Sequence, residues 1–229
     1  MRILWSLARL RTDGAARRLF NAALLALCTL AALPTLAQAG TIRILALGDS
    51  LTAGFGLDPA DGFVPQLQAA LRAQGHDVTV LNGGVSGDTS AGGLDRLDWA
   101  LADKPDLAIV ELGANDMLRG VDPASTRANI DKILTRLGQE KIPTLLAGMR
   151  AAPNLGPAYA AAFDPIFPDL ARAHGVALYP FFLDGVAMVA ALNQADGMHP
   201  NPAGVKLIVE RIVPAVVGLI RSSGLAKTG

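Results

Sequence analysis

Residues 42–50 read Ile-Arg-Ile-Leu-Ala-Leu-Gly-Asp-Ser, and this stretch decides the fold. Its first six residues are mostly aliphatic and end at Gly48, a pattern that indicates a strand buried on both faces. Such strands are typical of parallel sheets that helices cover on both sides. Asp49 and Ser50 follow at once, at the strand end where a sheet of this kind binds its ligands.

The alternation of short apolar runs with amphipathic segments continues along the chain. Further strands are predicted at residues 78–81, 107–112, 143–147 and 176–179. Helices are predicted at residues 63–74, 90–102, 123–140, 157–174 and 202–220. Five βα units predict an α/β protein, a flavodoxin-like three-layer α/β/α sandwich with a five-stranded parallel sheet. No internal repeat or linker divides residues 40–229, which we expect to form a single domain.

Residues 1–39 have the three parts of a secretory signal peptide. Five arginines precede an apolar run from Leu19 to Leu33, and Ala37-Gln38-Ala39 supplies the small residues of a cleavage site. The apolar run of about 15 residues is shorter than the ~20 that a spanning helix needs. We expect cleavage near Ala39, a periplasmic or secreted protein, and no stable membrane anchor afterwards.

Charge and cysteine content exclude several classes of protein. The formal net charge is +0, and no run of Lys or Arg in residues 40–229 suggests a nucleic-acid partner. Cys28 is the single cysteine and lies in the signal peptide, so the mature chain has no disulfide and no thiolate nucleophile. We expect a monomer that acts on a small molecule without a metal or other cofactor.

Polar, glycine-rich segments follow the strands or precede the last helix, and together they would meet at one edge of the sheet. The segments are Gly48-Asp49-Ser50-Leu51, Asn82 to Thr89, Gly113-Ala114-Asn115-Asp116 and Asp196-Gly197-Met198-His199-Pro200. Each has an ordinary interpretation as a turn or a helix cap. Their convergence predicts an active site, because each supplies a different part of the same chemistry.

That chemistry is acyl transfer by an activated serine. Asp196 lies three residues before His199, close enough in a turn to accept the Nδ1 proton and leave Nε2 as a base. Ser50 is a weak nucleophile until such a base takes its proton. The backbone N–H groups of Ser50 and Gly87 and the Asn115 amide are candidates to stabilise the oxyanion.

The same four segments resemble those of the SGNH hydrolase superfamily, also called GDSL esterases and lipases. The resemblance spans residues 41–220 and implies Ser50, Asp196 and His199 as the catalytic triad, with Ser50, Gly87 and Asn115 forming the oxyanion hole. Stretches such as residues 111–120 are similar to the bacterial multifunctional acyl hydrolases that act as thioesterase, arylesterase and lysophospholipase. In that subgroup the loop after the third segment shifts on substrate binding, which implies substrate contacts by Asp116, Met117 and Leu118.

Two other functions remain open at this stage. A carbohydrate acetyl esterase would use the same catalytic residues on a different substrate. A non-catalytic binding module would hold a metal or a small anion with Asp49, Asp88, Asp116 and His199, and would leave Ser50 and Asn115 without a role.

Overall fold

A computed structural model describes residues 40–225. The predicted signal peptide at residues 1–39 lies outside these residues. The sheet consists of the strands β1 (Ile42–Gly48), β2 (Val78–Gly84), β3 (Leu107–Glu111), β4 (Thr144–Ala147) and β5 (Ala177–Tyr179). Each of the five predicted strands is therefore present within a few residues of its expected bounds.

The sheet is parallel throughout, with the strand order β2-β1-β3-β4-β5. This is the flavodoxin-like order, and it confirms the predicted three-layer α/β/α sandwich. The chain reverses its direction of winding between β1 and β3, where Gly48 pairs in register with Glu111. In open α/β sheets this switch point is where ligands bind, beyond the carboxyl ends of the strands.

Nine α-helices are assigned within residues 40–225. They are α1 (Ser50–Ala53), α2 (Phe63–Ala73), α3 (Ser90–Asp95), α4 (Leu97–Leu101), α5 (Ala114–Leu118), α6 (Pro123–Gln139), α7 (Gly156–Phe163), α8 (Ile166–His174) and α9 (Pro202–Ser222). Helices α2 and α9 pack together on one face of the sheet, and α6 packs against α3, α7 and α8 on the other. Between residues 40 and 225 no helix combines the length and the hydropathy needed to cross a bilayer.

Two predicted helices are interrupted. The helix expected at residues 90–102 breaks at Arg96. Gly92 and Gly93 weaken its first turns, because glycine has a low helix propensity. The Arg96 side chain hydrogen-bonds to Asp88 and to the carbonyl of Gly48. The helix expected at residues 157–174 breaks before Ile166, because Pro165 has no N–H to continue the hydrogen-bond ladder.

The core lies on both faces of a sheet whose central strands are almost fully buried. All five residues of β3 are buried, as are six of the seven residues of β1. The largest fully buried side chains are Phe63, Phe163, Phe167 and Phe182. A rigid, apolar sheet therefore ends abruptly in two polar turns, the one after Gly48 and the one after Glu111.

Candidate active site

Ser50 begins the short helix α1 directly after β1. Asp49 caps this helix, because its Oδ1 accepts a hydrogen bond from the backbone N–H of Leu51 at 3.0 Å. The sequence had left open whether this turn was only a helix cap. The structure shows that the cap is real and that Ser50 is the first residue of the helix that it caps.

The Ser50 hydroxyl meets His199 across the sheet edge. The distance from Ser50 Oγ to His199 Nε2 is 2.9 Å, although the two residues are 149 positions apart in the chain. On the other side of the ring, His199 Nδ1 lies 2.6 Å from Asp196 Oδ2. Serine, imidazole and carboxylate thus form one continuous hydrogen-bonded chain.

Asp196 also organises the turn that carries the histidine. Its Oδ1 accepts from the backbone N–H groups of Met198 at 2.9 Å and of His199 at 3.0 Å. Gly197 adopts a left-handed conformation with φ of 70°, which makes this tight turn accessible without strain. One carboxylate therefore fixes both the backbone and the ring of His199.

Two residues that the sequence analysis missed hold this loop in place. Gln194 donates from its backbone N–H to the carbonyl of His199 at 2.7 Å and from its amide to the carbonyl of Phe55 at 2.8 Å. The ring of Phe55 packs on the imidazole with a centroid separation of 4.7 Å. An aromatic residue between Gly54 and Gly56 was the signal in the sequence that could have identified Phe55.

Asn115 lies in α5, the short helix that follows β3, and β3 pairs with the strand that precedes Ser50. Its Nδ2 donates a hydrogen bond to Asp49 Oδ2 at 3.0 Å, so one carboxylate contacts both helix α1 and this amide. A side-chain amide has two N–H bonds. The second one is available for a substrate oxygen in the cavity that Asn115 lines together with Ser50 and His199.

Gly87 belongs to the loop after β2 and is not among the residues that line this cavity. It adopts a left-handed conformation with φ of 86°, and its carbonyl accepts from Arg119 Nη2 at 2.7 Å. This hydrogen bond connects the loop after β2 to Arg119, the residue that follows α5. The structure thus brings Ser50, Asn115 and His199 together directly, with Gly87 on a neighbouring loop.

The predicted substrate contacts after β3 divide into two groups. Met117 and Leu118 line the cavity, whereas Asp116 is only 1% exposed and does not. The Asp116 carboxylate accepts from the N–H and the hydroxyl of Ser90 and from the hydroxyl of Thr126. The expectation of a substrate contact by Asp116 is therefore corrected: this side chain anchors α5 to α3 and α6.

The cavity has a volume of about 260 Å³ and is polar only where the site residues enter it. The other side chains that line it are apolar and include Leu51, Leu183, Ala187, Met188 and Met198. Leu118, Met188 and Met198 are each more than half exposed at its opening. An apolar chain attached to the reacting carbonyl would be removed from water along this surface.

The carboxyl groups around the site have pKa values shifted in opposite directions. Burial raises the pKa of Asp49 to about 6, in spite of the hydrogen bonds that it accepts from Leu51 and Asn115. The backbone N–H groups of His199 and Met198, together with the imidazole, lower the pKa of Asp196 to about 2. Asp196 is therefore ionised at any pH at which His199 acts as a base.

The alternative metal-binding arrangement is not formed. Asp88 pairs with Arg96 at 2.5 Å, and Asp116 is occupied by hydroxyl groups. Within residues 40–225 no cluster of three or more His, Cys, Asp or Glu side chains has the geometry to hold a metal ion. The four side chains named for a binding module therefore point to separate partners.

Comparison with known proteins gives a consistent result. The sequence profile of the GDSL-like Lipase/Acylhydrolase family matches residues 46–207. Esterase TesA of Pseudomonas aeruginosa is 42% identical over 184 residues, which are 80% of this chain and 92% of that protein. A solved crystal structure of TesA, also 42% identical, superposes with a TM-score of 0.74 and covers 77% of this chain and 99% of that one.

Two further relatives differ in the activity that their names record. An arylesterase of Vibrio mimicus is 38% identical over 76% of this chain and 88% of its own. Thioesterase 1/protease 1/lysophospholipase L1 of Escherichia coli K12 is 36% identical over 73% of this chain and 79% of its own. In each case the similarity extends over most of both chains.

The opposite pKa shifts can be measured by a carbon-13 NMR titration of the carboxyl groups. We expect midpoints near 6 for Asp49 and near 2 for Asp196. Asp196, with its lowered pKa, stabilises the fold above its unfolded pKa of 3.8, and this contribution is lost as the pH falls toward 2. Asp49, with its raised pKa, makes folding less favourable as the pH rises from 3.8 through 6.

The control is Asn115→Ala, which removes a hydrogen bond that lowers the pKa of Asp49. In this variant the Asp49 midpoint should rise further, while that of Asp196 stays in place. Midpoints near 4 for both groups in the unaltered protein would contradict the electrostatics described above.

Proposed function

Since the chain belongs to the GDSL-like lipase/acylhydrolase family and is a serine hydrolase of esters and thioesters, we propose that Ser50, His199 and Asp196 are its catalytic triad. The observation that carries this proposal is the 2.9 Å distance between Ser50 Oγ and His199 Nε2. A base within hydrogen-bonding reach is what turns a serine hydroxyl into a nucleophile at neutral pH.

In the first half of the reaction Ser50 is acylated. His199 Nε2 takes the hydroxyl proton while Ser50 Oγ forms a bond to the carbonyl carbon of the substrate. The carbonyl oxygen becomes an oxyanion, which the N–H groups of Ser50 and Gly87 and the Asn115 amide stabilise. The tetrahedral intermediate then breaks its bond to the alcohol or thiol, which leaves with the proton from His199.

In the second half, water releases the acyl group. His199 takes a proton from the water as its oxygen attacks the acyl carbon, and the same donors stabilise the second oxyanion. The bond to Ser50 Oγ then breaks, and the serine recovers its proton from His199. Asp196 remains ionised throughout and stabilises the imidazolium that forms twice in each cycle.

The proposed substrates carry an apolar acyl chain: aryl esters, acyl thioesters and lysophospholipids. The apolar lining of the cavity supports this choice, because a carbohydrate acetyl ester would present hydroxyl groups to Met117, Leu183 and Met188. Buried hydroxyl groups without hydrogen-bond partners are costly. The names of two relatives, an arylesterase and a thioesterase/lysophospholipase, agree with these three substrate classes.

We also propose that the enzyme is a monomer that is exported and cleaved near Ala39. One chain supplies the nucleophile, the base, the orienting carboxylate and the Asn115 amide, so the site needs no second subunit. Export is supported by the basic, apolar and small-residue parts of residues 1–39.

A fluorophosphonate probe tests the nucleophile. The unaltered enzyme should be labelled on Ser50, and Ser50→Ala should lose both the label and the hydrolysis of p-nitrophenyl esters, with a rate at least about 10³-fold lower. Ser125→Ala, at an exposed position of α6, is the matched control and should keep both. Label on a different residue, or normal turnover by Ser50→Ala, would rule out the proposed triad.

A series of acyl esters tests the substrate class. Hexanoate adds about four methylene groups to acetate, each worth ~0.8 kcal/mol when fully buried. We expect kcat/KM for p-nitrophenyl hexanoate to exceed that for the acetate at least 10-fold. Ala187→Phe, which fills part of the cavity wall, should reduce this preference. A higher rate on acetylated xylan than on hexanoyl esters would favour the carbohydrate esterase instead.

Intact-mass measurement tests export. The full chain, produced in a Gram-negative host and recovered from the periplasm, should begin at Gly40. Ala39→Lys removes the small residue before the cleavage site and should leave the uncleaved form attached to membranes. A periplasmic protein that retains residues 1–39 would contradict the proposed processing.

A further inference from the structure

Glu111 is a buried ionisable group to which the acyl-transfer mechanism gives no role. Glu111, the last residue of β3, is fully buried at the point where the sheet meets the serine turn. We infer that Glu111 is a positioning residue for the reaction, and that its carboxyl group in the neutral form holds the turn that presents Ser50. This inference rests on the proposed function of Ser50 and goes beyond it.

The side chain of Glu111 contacts the turn on both sides of the nucleophile. Its Oε2 accepts a hydrogen bond from Thr52 Oγ1 at 2.7 Å and lies 3.4 Å from the backbone nitrogen of Asp49. Ser50 lies between these two contacts. Because β3 is buried and rigid, a side chain anchored there can fix the position of α1 relative to the sheet.

Gly48 gives Glu111 the space to reach the turn. A Cβ atom at position 48 would lie 2.6 Å from Glu111 Oε2 and 2.1 Å from Thr52 Oγ1, which are both closer than atoms in contact can approach. The hydrogen bond between Thr52 and Glu111 therefore passes over the backbone of Gly48. This is a specific reason for glycine at the end of β1.

The charges around Glu111 favour its neutral form. Asp49, in the turn after β1, is its negatively charged neighbour. Arg96, between α3 and α4, contacts the carbonyl of Gly48, the residue that pairs with Glu111 in β1. The residue that pairs with Glu111 in β4 is Ala147, which carries no charge. The Arg96 guanidinium donates from Nη2 to the Gly48 carbonyl at 2.8 Å and from Nε to Asp88 at 2.5 Å, and its Nη1 has no hydrogen-bond partner among residues 40–225. The positive charge of Arg96 is therefore paired with Asp88 and not with Glu111.

Burial and the negative charge of Asp49 both raise the pKa of Glu111 well above its usual range. Its Oε1 has no hydrogen-bond partner among residues 40–225, which an ionised carboxylate would need. Leaving an oxygen of a neutral acid without a partner costs less than leaving a charged one, and in the neutral form Oε2 still accepts from Thr52.

The neutral form matters for catalysis because of what Asp49 does. Asp49 caps α1 and accepts from the Asn115 amide, and His199 contributes favourably to its ionised state. A second negative charge at Glu111 would compete with that state and displace the turn. Misplacement of a reacting group by about 1 Å can cost ~100-fold in rate.

The test compares Glu111→Gln, Glu111→Ala and Thr52→Val, with Asp131→Asn as a control for a carboxylate-to-amide change outside this cluster. At pH 7, Glu111→Gln should keep kcat within about 3-fold, because the amide oxygen replaces the acceptor. Glu111→Ala and Thr52→Val should lower kcat at least 10-fold with KM for the same ester nearly unchanged. Asp131→Asn should alter neither constant.

Thermal unfolding gives a second readout. A group with a raised folded-state pKa makes the fold less stable as the pH rises above its unfolded pKa. The Tm of Glu111→Gln minus the Tm of the unaltered enzyme should therefore increase from pH 5 to pH 8. The matched control for this series is Glu210→Gln, at an exposed position of α9 where the ion-pair partner is Lys206 rather than a histidine, and its Tm difference should lack that trend.

Three results would overturn the inference. Loss of kcat in Glu111→Gln as large as in Thr52→Val would mean that the charged form is needed. Unchanged kcat in Thr52→Val would mean that the contact only stabilises the fold. A pH-independent Tm difference would mean that Glu111 is ionised.

Fluorophosphonate labelling separates these outcomes from a failure of the proposed function. The labelling rate of Ser50 should fall in Thr52→Val and be retained in Glu111→Gln, whereas an unlabelled Ser50 in the unaltered enzyme would contradict the triad itself. If Glu111→Ala does not fold, the other two variants and the Tm series decide the question.

Discussion

The parallel pairing of β1 with β3 is the constraint on which the rest of the site depends. It places Gly48 beside Glu111 in register, so the turns after the two strands begin at the same height above the sheet. The carboxylate of Asp49 then joins α1, the helix that begins at Ser50, to the amide of Asn115. No loop flexibility is needed to bring these groups together, because the sheet that carries them is buried on both faces.

The two aspartates near Ser50, Asp49 and Asp196, have different environments and different roles. Asp196 lies at the surface, and the backbone N–H groups of its own turn stabilise its ionised form by lowering its pKa. An ionised carboxylate suits the proposed role of stabilising a positive imidazolium. Asp49 is buried, and both of its carboxylate oxygens accept structural hydrogen bonds, one from α1 and one from Asn115 in α5. The proposed catalysis thus depends on one exposed carboxylate and is supported by a buried one.

Much of this arrangement could be predicted from the sequence, since the apolar strand pattern and the polar strand ends are local signals. All five strands were found, and the meeting of Ser50 with His199 follows from the topology that they imply. The breaks at Arg96 and Pro165 were missed because tertiary contacts at Arg96, and the lack of an N–H at Pro165, override helical periodicity.

The remaining parts of the site have no local signal. In the sequence Glu111 belongs to an apolar strand. Only its pairing in register with Gly48 shows that its side chain contacts the turn that carries Ser50. Asp116 illustrates the opposite error, because its neighbours Met117 and Leu118 line the cavity while its own side chain turns inward. Which side of a short helix faces a ligand depends on packing that is set by distant segments.

The separation of Ser50 from His199 along the chain has a consequence for biogenesis. The proposed nucleophile follows the first strand, and the proposed base precedes the last helix, so neither an incomplete nascent polypeptide nor an unfolded one would contain a working site. Hydrolysis begins only when the chain has been fully synthesised and has folded. The appearance of enzymatic turnover would therefore report the completion of folding.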